Sequence, residues 1–130
     1  MSRPLAAALI NQSAITALIG DRHALKQLPA GTEMPALVYS VIDVNPHDYT
    51  DGDGYEAMRL QINPLAPTVK QVQQIHDAVR STLHGLAQIT LAGKRVITVF
   101  KDAVGPEDVT DDGDGHIVWT WPRDYIVLYE

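Results

Sequence analysis

The stretch from Tyr55 to Gly85, YEAMRLQINPLAPTVKQVQQIHDAVRSTLHG, carries two different periodicities back to back. In its first part Met58, Leu60 and Ile62 alternate with Ala57, Arg59, Gln61 and Asn63, a period of two that predicts a strand with one face on a core. Pro64 and Pro67 cannot donate to a ladder and predict its end. Thr68 then reads as the N-cap of a long helix. Val69, Val72, Ile75, Val79 and Leu83 recur at three and four residues and form one apolar stripe, with Lys70, Gln71, Gln73, Gln74, Asp77 and Arg80 on the other faces. Gly85 is a natural stop, because a helix often ends on a residue with positive φ.

Toward the N-terminus, Pro4 to Ile10 reads as a helix capped by Ser2. Ser13 reads as the cap of a short second helix carrying Ile15, Leu18 and Ile19 and closed by Gly20. Asp21 to Pro35 is punctuated by Pro29, Gly31 and Pro35 and reads as a loop. Ala36 to Val44 is β-branched and aromatic on both sides, as expected of a strand covered on both faces. Asn45 to Gly54 reads as a turn.

Beyond the long helix, Gln88–Leu91 and Arg95–Phe100 are predicted to form a hairpin across Ala92–Gly93. A turn-rich stretch from Gly105 to Gly115 leads to strands at His116–Trp121 and Tyr125–Leu128. The predicted fold is α+β: an antiparallel sheet of about four strands with two main helices packed on one face.

At 130 residues the chain fits one domain,. The sequence contains no cysteine, which excludes disulfides and thiolate metal sites,. The apolar run Leu5–Ile10 is too short for a signal peptide, and no segment approaches the length that crosses a bilayer, so the expectation is a cytosolic product without a membrane anchor. The net charge is −6, with only ten Lys and Arg scattered singly. Binding to phosphates needs clustered cations, so direct nucleic-acid recognition is not expected.

Two acidic glycine-rich stretches stand out, DGDG at Asp51–Gly54 and DDGDG at Asp111–Gly115. Neither fits an EF-hand: aligning Gly54 to the invariant glycine places Tyr49 first and Leu60 last, and Gly115 places Thr110 first and Trp121 last, without the bidentate Glu. Asp-Gly pairs make tight turns for conformational reasons alone. His76 and His84 lie two helical turns apart, too far to share a metal, and a histidine beside an apolar stripe reads as a boundary residue. Nucleophile-elbow, Ser-x-x-Lys and phosphate-loop patterns are absent. No metal, cofactor or catalytic residue is therefore assigned. The competing reading is a small metal-dependent or ligand-binding enzyme using Asp111, Asp112, Asp114 and His116; a third is an adaptor or toxin–antitoxin-like partner.

Aromatic residues point instead to protein contacts. Tyr49 and Tyr55 flank the first acidic turn, and Trp119 and Trp121 share one face of a C-terminal strand. Tyr and Trp bury large areas at low entropic cost. We expect Tyr49, Asp51, Asp53, Tyr55, Asp111, Asp112, Asp114, Trp119 and Trp121 to serve as contact residues. Strands apolar on both faces also need a second cover, and a neighbouring subunit would supply it.

Taken in order, AITALIGDRH (Ala14–His23), LPAGTEMPALVYSVID (Leu28–Asp43), MRLQIN (Met58–Asn63), TVKQVQQIHDAVRSTLHG (Thr68–Gly85) and DYIVLYE (Asp124–Glu130) resemble the tail-completion or tail-terminator family of tailed bacteriophages and prophages. One departure is Pro64–Leu65, where that family carries an aromatic. The resemblance implies a structural, non-enzymatic protein of the virion tail, assembled in the host cytoplasm. It also implies a ring, commonly of six copies, that caps the tail tube and meets the head connector, with a monomer possible in isolation.

Overall fold

The structure is a computed structural model that describes residues 2–29, 31–48, 54–111 and 117–130, and the side chains of 3–29, 31–42, 55–110 and 117–130. Three helices, α1 (Ser2–Ile10), α2 (Ser13–Ile19) and α3 (Val69–Leu83), pack on a curled sheet. Its strands are β1 (His23–Leu25), β2 (Ala36–Asp48), β3 (Gly54–Ala66), β4 (Ala87–Leu91), β5 (Lys94–Val104), β6 (Asp108–Asp111), β7 (Ile117–Thr120) and β8 (Arg123–Tyr129). The main order across the sheet is β1-β2-β3-β8-β5-β4, and the β6–β7 hairpin joins the end of β3 through β7.

The expected sheet of four antiparallel strands is therefore too small, and it is mixed. β1 runs parallel to β2, His23 opposite Leu37 and Leu25 opposite Tyr39, inside the stretch expected to be loop. Three residues show no usable alternation, and only β2 beside them makes them a strand. β6 was likewise hidden: Asp-Val-Thr-Asp reads as turn between glycines, yet Asp108 pairs with Thr120 and Thr110 with Val118. β2 runs on to Asp48 and β3 begins at Gly54, so both ends of the predicted turn are strand, and residues 49–53 lie outside the described residues.

β3 does not stop at Pro64. Its pairing with β8 covers Glu56 to Ile62, and pairing with β7 resumes at Leu65. Pro64 falls in that gap, where its missing N–H leaves no ladder bond unmade on this edge, while it faces Leu37 across β2,.

The expected caps divide. Thr68 accepts from the Gln71 amide at 3.3 Å and its hydroxyl donates to the Gln71 side chain at 3.2 Å, a reciprocal arrangement that opens α3,. Ser13 is instead the first helical residue, and Gln12 occupies the N-cap without a side-chain bond there. Ser2 likewise lies within α1. Gly85 follows α3 at φ 82°, where a side chain would strain the backbone,. Ala92 and Gly93 both have positive φ, as the tight β4–β5 turn requires,.

All three helices cover one face of the sheet. Leu5, Leu9 and Ile10 of α1, Ile15 and Ile19 of α2, and Ile75, Val79 and Leu83 of α3 join Leu37, Met58, Leu60, Ile62, Val99, Tyr125 and Val127 in one buried cluster. Of the α3 stripe only Val69 is exposed, and Leu18 of α2 also faces solvent. β8 alternates strictly, burying Arg123, Tyr125, Val127 and Tyr129 and leaving Asp124, Ile126 and Leu128 half-covered.

Candidate functional site

The opposite face of the sheet carries no helix among the described residues. Registers place Arg59 of β3 beside Ile126 of β8, and Ile126 beside Phe100 of β5. Ala57, Leu128 and Thr98 form the next row. Phe100 and, on β2, Ile42 are exposed, while Ile126 and Leu128 are half-covered. At the centre, the Arg59 guanidinium meets Asp102 at 2.5 Å and Asp124 at 3.1 Å. These two carboxylates, Asp102 first, hold the guanidinium more firmly protonated than usual. The surface is thus apolar with a paired ionic centre, a composition suited to a protein neighbour.

A second feature is an open groove of about 970 Å³ between residues 28–34, the end of β3 and β7. Leu28, Met34, Leu65, Pro67, Ile117 and Val118 make it apolar, with Thr32 and Glu33 as its polar side chains. Among its described lining residues Glu33 is the one ionisable side chain.

The expected contact residues are spread out. Tyr55 is half-buried at the start of β3, opposite His47 of β2. The backbone of Asp111 ends β6, opposite Ile117. Trp119 is half-buried between Val109 of β6 and Ala66 of β3. Tyr49, Asp51, Asp53, Asp112 and Asp114, and His116 of the competing reading, lie outside the described residues. Among the described residues no group of three or more His, Cys, Asp or Glu could hold a metal ion. No helix is long and apolar enough to cross a membrane.

Trp121 is bound into the fold. Its indole N–H donates to the Gly105 carbonyl at 3.0 Å, and its ring receives the Arg123 guanidinium at 4.8 Å and stands edge-on to His76 at 5.8 Å. His76 corrects the boundary reading: it is fully buried, with Nε2 bonded to the Trp121 carbonyl. Burial is the main reason its pKa falls to about 4. At sequence level only its place one residue after Ile75 on the stripe hinted at this. On the same side of the sheet, Tyr129 donates to Glu56 at 2.5 Å, and burial raises its hydroxyl pKa.

Comparison with known proteins supplies a family and a fold. The family model described as tail completion protein gp17 matches residues 3–119. The chain belongs to that family. Tail completion proteins are structural parts of phage tails, not a family of enzymes. Among solved structures, a chain of the "Virion of native gene transfer agent (GTA) particle" aligns over 99% of this chain and 97% of that one, with a TM-score of 0.67 and 14% identity. At that identity the likeness speaks for the fold. No curated protein matches the sequence.

Proposed function

We propose that this tail completion protein assembles into a ring, of six copies in the completed virion, which ends the tail tube and joins it to the head connector. The observation that carries this reading is the open face of the sheet. Ile42, Phe100, Ile126 and Leu128 surround the Arg59–Asp102–Asp124 cluster on the side that no helix covers. A closed ring needs such a surface to meet a different one on the next subunit after a fixed rotation. Stable contacts of this kind bury about 1,200–2,000 Å² in total, which a broad sheet face can supply.

The acidic connections, Tyr49, Asp51, Asp53 and Tyr55 on one side and Asp111, Asp112 and Asp114 on the other, serve in this reading as polar contacts to tail-tube or connector proteins. Complementary charge there sets register and rate more than affinity. Trp119, half-buried on β7, adds apolar area beside them, and Trp121 holds the adjoining bend. Neither a membrane nor sequence-specific nucleic-acid recognition has a part, and the product resides in the virion tail after assembly in the host cytoplasm.

The test is the mass of the protein in solution by light scattering, alone and with tail-tube protein. A multiple of the protomer mass in either case is the expected result. A strict monomer that ignores both tube and connector proteins rejects the ring.

A further inference from the structure

Arg123 is 7% exposed and forms no ion pair with any described carboxylate. Its Nε and the Tyr125 hydroxyl, two residues along the same face of β8, are both sealed from solvent, and the two side chains act on each other rather than on a described carboxylate. The cation meets the Trp121 ring at 4.8 Å and also the Tyr125 hydroxyl, both of them neutral groups. Contacts with neutral groups recover only part of what burying an unpaired charge costs. The buried cation is under-compensated within the chain.

Two more cations approach the same place. Lys101 is the register partner of Tyr125 across β5 and β8, and Arg80 on α3 lies near enough to act electrostatically on the Tyr125 hydroxyl. Neither forms an ion pair with a described residue. The nearby acid, Asp77, accepts from Gln73 at 2.8 Å and is not spent on these cations. Three cations, none paired with a described carboxylate, thus gather beside one hydroxyl in a chain whose net charge is −6.

We infer that Arg123, with Arg80 and Lys101 beside it, forms an anion-binding site that receives a side-chain carboxylate from a second copy of this chain. The guanidinium fork suits a carboxylate and gains most where water is scarce. A phosphate backbone would need a longer row of cations than these three. The donor follows from charge complementarity: the sequence concentrates aspartates at Asp51 and Asp53 and at Asp111, Asp112 and Asp114. The choice of donor rests on the ring proposed above; the site does not.

Two measurements separate the claims. The full chain, labelled with ¹⁵N, is titrated with a peptide of residues 107–117 and with one of residues 47–57, each beside a version whose aspartates are replaced by asparagine. At least one acidic peptide should move the Trp121 indole signal and bind at least about tenfold more tightly than its asparagine version. The Arg80→Gln/Lys101→Gln pair, both outside the core, should erase that preference at unchanged melting temperature. No shift at Trp121, or tighter binding of a single-stranded oligonucleotide, overturns the site. In the second measurement, self-association that is indifferent to Arg80→Gln/Lys101→Gln overturns the second-copy assignment while leaving the ring standing. Absence of any ring alongside a positive peptide titration rejects the ring and the donor but keeps the site.

Discussion

The Nε2–H of His76, on α3, donates to the backbone carbonyl of Trp121, on the bend between β7 and β8. This contact requires a proton on Nε2, which the neutral ring in one tautomer and the charged ring both carry, so it is burial and not this bond that keeps the ring neutral. Burial opposes charging most strongly, the Trp121 bond favours charging in turn, and Arg123 and Lys101 act with burial while Asp77 acts against it. The folded pKa of about 4 lies below the unfolded value of 6.5. The native state therefore binds fewer protons, and this contribution to stability is complete above pH 6.5 and lost as pH falls from there toward 4. Its size is on the order of 3 kcal/mol. Denaturant unfolding at a series of pH values should show that loss, and His76→Gln, which can still donate to Trp121, should flatten it.

Gly105 accepts the Trp121 indole, and its own N–H donates to the Pro122 carbonyl at 2.8 Å. A β-carbon at Gly105 would stand 2.7 Å from Cγ of the Pro122 ring. That ring has no rotamer by which to retreat. Gly105→Ala should lower stability by about 1–3 kcal/mol through overpacking, read as a lower denaturant midpoint with an unchanged slope.

Thr68→Ala removes both halves of the exchange with Gln71 that opens α3. The expected cost is about 1 kcal/mol. Thr68→Ser should recover most of it, because the hydroxyl rather than the methyl makes the bonds. Thermal unfolding of the three proteins checks this.

On the open face, Phe100→Glu should cost the protomer about 1 kcal/mol or less, since the ring already meets solvent,. The same change places a carboxylate where a neighbour's apolar surface would sit, and it should abolish assembly. Circular dichroism and light scattering on one sample read the two effects separately. Arg59→Ala should likewise act on assembly before it acts on folding, by leaving Asp102 and Asp124 unpaired.

What could be read from the residues alone follows from how local each signal is. Met58, Leu60 and Ile62 declare a half-buried strand, and Val72 to Leu83 declare α3, because pattern and burial arise within one element. Tyr125, Val127 and Tyr129 opposite Ile126 and Leu128 were legible for the same reason. β1 and β6 were not, since each owes its extended shape to a partner far along the chain. Pro64 misled because whether a proline ends a strand depends on which edge needs a donor, a fact held by β7 and β8. His76 was misplaced because its polar character outweighed its position. The contact of Arg123 with Trp121 had no sequence signature, as nothing in WPR tells which way the guanidinium turns. The open face was foreseeable in outline, from strands apolar on both sides, but the Arg59 cluster at its centre was not.

β8 lies between β3 and β5, and even Glu130 is tied in, exchanging backbone bonds with Arg95 at 2.9 and 3.0 Å. The strand that unites the two halves of the sheet is thus synthesised after both of the strands it joins. Until residues 123–129 are made, β3 and β5 each present a bare hydrogen-bonding edge. Shortening the chain by even those few residues would remove the middle of the sheet, not trim its border, and would leave two fragments with no common ladder.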